Sequence, residues 1–472
     1  METTSLSRRS FLFAGFAVPL LASCGIAARS SAHPQRQVRA SAPFDMPAIS
    51  VPDFSGSPRF SIAAFGAAQD DQARTSLAIA RAIEAAHAAG SGVVVVPPGV
   101  WPTGPVHLRS NVNLHLEEGA TLLFSERPAD YLPPVMTTWE GLECYNYSPL
   151  IYAFECQNVA ISCKGLLRAK LDVWREWYKR PKAHLDALVA VYKQADAIVP
   201  VKERDMTRGD ANLRPQFIQF NRCRNVLVED VRIVDSPFWV LHPYLCRDVL
   251  IRRVAITAHG HNNDGVDPEM SENVLIEDCM FDQGDDSISV KSGRDRDAWR
   301  LNAPCRNIVM RNCRVKNGHQ LMAIGSELSG GIENVFVDNC HFDASGSATQ
   351  STINNLLFVK TNERRGGFVR NIHMTNVSAT RIAGGVLAVE TDVLYQWKTL
   401  MPTIERRLTP IQGLHVSGIE VADAGFVCHI QGEAEMPVRD VTLRDIRVRR
   451  VQGVPFKTEH VQGFVNATGL RA

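Results

Sequence analysis

Three things are scarce in this 472-residue chain, and each scarcity removes a class of function. Net charge is the first: 51 lysines and arginines against 50 aspartates and glutamates leave a formal +1. No global field therefore recruits nucleic acid or a membrane surface, and affinity for a polyanion has to come from a local basic patch. Long apolar runs are the second, since the N-terminal stretch from Phe13 to Ala22 is too short to span a bilayer. Cysteine is the third. Eleven in a chain this long are too dilute for a small disulfide scaffold, and no Cys-x-x-Cys pair marks a metal site. What remains, 45% hydrophobic and 21% charged residues, is the composition of an ordinary globular protein.

The N-terminus reads as an address. Ser7-Arg8-Arg9-Ser10-Phe11-Leu12 precedes the short apolar stretch, in the layout of a twin-arginine export signal. Leu21-Ala22-Ser23-Cys24 is similar to a bacterial lipobox, which makes Cys24 the expected site of lipidation; ordinary cleavage near Ser30-Ser31-Ala32 is the alternative. The expectation is an exported, monomeric protein, periplasmic, secreted or held to a membrane through that lipid alone. Residues 1–32 are then the signal, and 33–59, rich in Ser, Pro and Ala, a linker. Residues 60–472 form one domain, with an insertion at about 171–214 that carries Trp174, Trp177, Tyr178 and many charges.

Within that domain one pattern recurs, with apolar residues at positions 0, 2, 5 and 7, usually after Asn or Asp. Val226, Val228, Val231 and Ile233 make the first clear copy. Further copies start at Val249, Val274, Ile308 and Val335, and weaker ones at Ile372, Leu414 and Val441. Two short strands with a bend between them, repeated every 23 residues or more, predict stacked coils. Cys279, Cys313 and Cys340 fall on one rung and read as small buried hydrophobes. Ser76 to Ala89 predicts a helix capped by Thr75 and placed to cover the open end of the stack.

The phase of the repeat gathers chemistry. Asp285 lies 11 residues after its repeat start and His319 lies 11 after the next, so the two stack. Asp264 belongs on the coil beneath Asp285. In a regular strand Asp285 and Asp286 would face opposite ways and bury one carboxylate, so Gly284 reads as a bend that turns both outward. Carboxylates this close raise at least one pKa, and a carboxyl kept protonated is what a glycosidase acid requires. Calcium is a second use of such acids, through Asp264, Asp267, Asp282 and Asp286, with Lys291 or Arg294 as the base of a lyase.

Four pieces of sequence resemble glycoside hydrolase family 28, the polygalacturonases and their relatives. They are Asn262-Asn263-Asp264-Gly265, Gly284-Asp285-Asp286, Gly318-His319-Gln320 and Phe358-Val359-Lys360, in that order and at the family's spacing. Asn263 stands where the family has Thr, Gln320 where it has Gly, and Phe358 where it has Arg. The resemblance implies an all-β, single-stranded, right-handed parallel β-helix and an inverting hydrolysis without cofactor or metal. By it Asp285 is the general acid, Asp264 and Asp286 hold and deprotonate the water, His319 supports the acid and Lys360 binds a uronate carboxylate. Lys291, Asn262, Gln320, Trp239 and, from the loop after the missing arginine, Arg364 are the further candidates for binding a pectic chain. Trp239 reads equally as sugar platform or as packing. A calcium-dependent lyase, a hydrolase of rhamnogalacturonan or pectic side chains, and a non-catalytic polysaccharide binder stay open.

Overall fold

The computed structural model describes residues 33–209, 211–345, 353–395 and 397–470. The paired arginines and Cys24 lie outside them. Each repeat contributes short strands that pair in parallel with the same strands of the coils before and after. The register follows the repeat starts read from the sequence. Val226 pairs with Val249, Val249 with Val274, Val274 with Ile308, and the succession continues through Val335, Ile372 and Leu414 to Val441. Their side chains point inward and are buried. The result is a right-handed parallel β-helix, the hand that crossovers between parallel strands take.

The residue before most starts has a job of its own. Asn225, Asp248, Asn273, Asn307, Asn334 and Asn371 all have φ between 56° and 60°, a left-handed bend that Asn and Asp tolerate. Their side chains stack as well: Asn307 Nδ2 donates to Asn273 Oδ1, Asn334 to Asn307 and Asn371 to Asn334.

Two expectations need correction. The helix α1 spans Gln72–Ala88, and Asp71, not Thr75, caps it by accepting from the Arg74 amide. Thr75 is buried inside it and donates to the Ala68 carbonyl, while Ile79, Ile83 and Ala86 join the main core. Residues 33–59 are not a free tether. Gln35–Val38 and Ile49–Pro52 pair as an antiparallel hairpin, and Ile49 and Val51 are fully buried against Ala160, Leu227, Leu250, Leu275 and Val309. Those five point out of the coils, so the hairpin shields an apolar stripe that would otherwise face water.

The insertion forms α2, Asp172–Tyr178, and α3, Lys182–Asp196. The inner face of α3 (Leu188, Val191, Tyr192) packs with Trp139, Phe238, Trp239, Trp397 and Met401 into a second, smaller core. Three segments distant in sequence thus form one wall beside the coils. None of the helices among the described residues is long and apolar enough to cross a membrane.

Candidate active site

That wall and the coils enclose a cleft of about 750 Å³, lined by Asp264, Asp285, Asp286 and His319. The turns leading into successive parallel strands supply them. Val266, Ile288, Met322 and Leu357 follow one another across these strands, so each turn sits one strand spacing from the next. The bend at Gly284 is a close approach: a Cβ there would come 2.6 Å from the Gly260 carbonyl oxygen.

His319 stacks on Asp285 as the phase predicts. Its amide donates to the Asp285 carbonyl at 2.9 Å, and its Nδ1 lies 3.0 Å from Asp285 Oδ1. Asp264 is on the adjoining coil, but its register partner is Asp286: the Gly265 amide donates to the Asp286 carbonyl at 3.0 Å. Carboxylate oxygens of Asp285 and Asp286 and a ring nitrogen of His319 lie within 4.8 Å of one another.

The electrostatics divide the three acids. Burial, then the nearby Asp285 charge, holds the Asp264 carboxyl well above the ordinary range. Burial pushes Asp285 upward too, but the hydrogen bond and charge of His319, with Lys360 and Lys291, bring it net below. His319 in turn is raised to about 9, chiefly by the Asp285 hydrogen bond. The raised carboxyl expected in the cluster is therefore Asp264, and the proton beside Asp285 rests on the histidine. Asp286 is paired with Lys360, whose Nζ donates to Oδ2 at 2.7 Å.

The binding candidates fare unevenly. Lys291 reaches the cleft but is enclosed, 3.1 Å from Glu327, 3.7 Å from Asp267 and 3.9 Å from Asp264. Its ammonium also sits 4.6 Å above the Trp239 ring, and Trp239 is only 2% exposed, so that indole is floor and not a sugar platform. Asn262 Oδ1 accepts from Arg214, and Gln320 Oε1 accepts from both nitrogens of Asn355; both residues border the cleft while bracing its turns. Arg364 is a correction. Its guanidinium donates to Thr403 Oγ1 and to the Trp397 and Met401 carbonyls, anchoring the wall from behind. Arg365 likewise is bound to Asp295 and the Ser326 carbonyl.

The four-carboxylate calcium set is not assembled. Lys291 occupies the space beside Asp264 and Asp267, and Asp282 faces His259 at 2.9 Å. Two residues that the sequence reading passed over, Arg180 from the insertion and His261, also line the cleft. Nothing in the local sequence sets Arg180 apart from the other charges of its segment.

Comparison with known proteins agrees with this geometry. A family model described as glycosyl hydrolases family 28 matches residues 202–466. A probable polygalacturonase of Vitis vinifera is 23% identical over 423 residues, 86% of this chain and 77% of its own. An exo-poly-alpha-D-galacturonosidase of Dickeya chrysanthemi is 26% identical over 304 residues, with the match covering 59% of this chain and about half, 49%, of that protein. Among solved structures, a hyperthermoactive exopolygalacturonase from Thermotoga maritima superposes with TM-score 0.77 at 35% identity, over 87% of this chain and 90% of that one. A polygalacturonase from Erwinia carotovora shares the fold at TM-score 0.63 and 20% identity, over 90% and 98%.

Proposed function

This chain belongs to glycosyl hydrolases family 28, and from that premise and the geometry of its cleft we propose that it hydrolyses galacturonide bonds, working from the ends of pectic chains. It is a glycoside hydrolase. The observation that carries the reading is the Asp285–His319 pair, 3.0 Å apart and beside two further carboxylates on a cleft wall.

In this mechanism the single proton of the Asp285–His319 pair crosses their hydrogen bond to Asp285 and passes from there to the glycosidic oxygen. The bond from the anomeric carbon to that oxygen breaks as a water adds to the carbon from the other side. Asp264 and Asp286 hold that water between them, and one of the two carboxylates accepts its proton. Burial and the nearby Asp285 charge raise the proton affinity of Asp264. Lys360 holds Asp286 in place.

The close approach of Asp285 and Asp286 makes stereochemistry a sharp test. Acid and nucleophile about 5–5.5 Å apart usually accompany retention, and about 6.5–9.5 Å inversion. Here a third carboxylate, Asp264, gives the water its own place, so inversion is expected. Asp285→Asn should lower kcat roughly 10²- to 10⁴-fold while trigalacturonate still binds. Proton NMR of the first product from the wild type should show the inverted anomer. A retained anomer, or near-normal turnover by Asp285→Asn, would sink this mechanism.

A further inference from the structure

Among the described residues, one cation of the cleft faces no carboxylate. Lys291 faces Glu327, Arg294 faces Glu140 and Glu327, His319 faces Asp285, and Lys360 faces Asp286. Arg180 also lines the cleft, yet no carboxylate lies within 4.0 Å of it among the described residues. Its Nε is buried without a hydrogen-bond partner. An unmet guanidinium donor out of water costs free energy, so such a group is kept for something that arrives later.

Arg180 lies between the end of α2 and the start of α3, at φ 55°, a left-handed conformation that an arginine rarely adopts. It stands close to Arg214, whose guanidinium lies 4.8 Å from the Tyr178 ring centroid and donates to the His261 carbonyl. Two guanidiniums side by side repel, and burial with Arg214 and Arg180 holds the His261 ring down to about 4, so it adds no charge at neutral pH. Glu140 and Asp285 offset part of this positive charge, but among the described residues neither comes within 4.0 Å of Arg180, whose Nε is left free to donate.

We propose that Arg180 binds the carboxylate of a uronate residue of the substrate, on the Asp264 side of the cleaved bond. This rests on the galacturonide reading above and names the group that selects the charged sugar. It is not a positional substitute for the arginine missing at Phe358. Phe358 sits three strand spacings beyond the coil of Asp264, about 14 Å away by the spacing of paired strands, and packs against Ala388 and Val393. The chain thus recognises charge at the insertion end of the cleft, while Phe358 at the other end supplies no guanidinium. A guanidinium suits the task because its fork matches both carboxylate oxygens, which a lysine cannot do.

The test is calorimetric titration of trigalacturonate and of its fully methyl-esterified form into Asp285→Asn, alone and combined with Arg180→Gln or Arg180→Lys. Arg180→Gln should weaken trigalacturonate roughly 10- to 100-fold and leave the ester nearly unchanged, with Arg180→Lys between. Its thermal midpoint should not fall, since the side chain has no internal partner to lose. Equal weakening of both ligands, or no weakening, overturns the proposal. So does an Asp285→Asn protein that binds the ester as well as the acid. Binding that depends on Arg180 in a protein whose wild type cleaves no galacturonide would sustain this assignment and overturn the hydrolytic one.

Discussion

At the scale of single residues, the acid pair dictates how activity depends on pH. His319 keeps its proton to about 9 because Asp285 accepts its hydrogen bond. A folded-state pKa raised above the unfolded value near 6.5 stabilises the fold fully below 6.5, and that contribution is lost as pH rises through about 9. Asp285 is net depressed, so its contribution has the opposite sense: present above the ordinary carboxylate range and lost in acid. Activity should share the upper limit, because the pair holds its single proton until the ring titrates. In His319→Gln the carboxyl loses the partner that lowers it, and burial then dominates and pushes it upward. The expected outcome is a kcat lowered roughly tenfold and a basic limb moved down by more than one pH unit. A profile superimposable on the wild type would remove His319 from the proton path.

Elements show which parts of the fold a sequence can declare. Inward positions were legible because burial imposes period 2 within a strand and the stack imposes equal phase between coils, so Val249 and Val274 identify each other. Asp285 and His319 were legible by the same arithmetic. The hairpin at 35–52 was missed because its strands are short and sit among Pro, Ser and Ala. Its signal was elsewhere, in the outward positions Leu227, Leu250, Leu275 and Val309, which are apolar where a solvated face would alternate with polar residues. Arg180 and the structural role of Arg364 were not legible, since both depend on where an aperiodic loop returns in space. The hairpin also makes a stability test. Ile49→Ala should cost about 2–5 kcal/mol, the usual range for a fully buried large aliphatic side chain, read as a lower urea midpoint. Activity at 25 °C should persist, because the hairpin covers the long sheet and not the strands that carry the acids. An unchanged midpoint would mean the hairpin is not seated on that stripe.

For the whole molecule, the question is how a polymer reaches the three aspartates. A stack of coils alone offers a groove open along its length, which a chain can enter anywhere. Here segments outside the coils border the groove. Trp139 from the 135–146 hairpin, Leu188 and Val191 from the insertion and Trp397 from the 397–401 segment share one apolar core, so none of these walls swings independently. Glu140, Arg180, Tyr395 and Trp397 then border the same cleft as the acids. A chain end can be seated against such walls, whereas the middle of a polymer has to pass through them. Release should therefore be of short products of one size from the first turnovers, with the viscosity of a polygalacturonate solution falling slowly against the number of bonds cut. Rates per mass of substrate should be higher on short oligomers, which carry more ends. Anion-exchange chromatography of an early digest reads this directly. A ladder of intermediate oligomers with a rapid loss of viscosity would mean that the walls leave the groove open and that attack is internal. The aspartate chemistry would be untouched by that result, because it is fixed by the register of the coils, while the mode of attack is fixed by segments inserted between them.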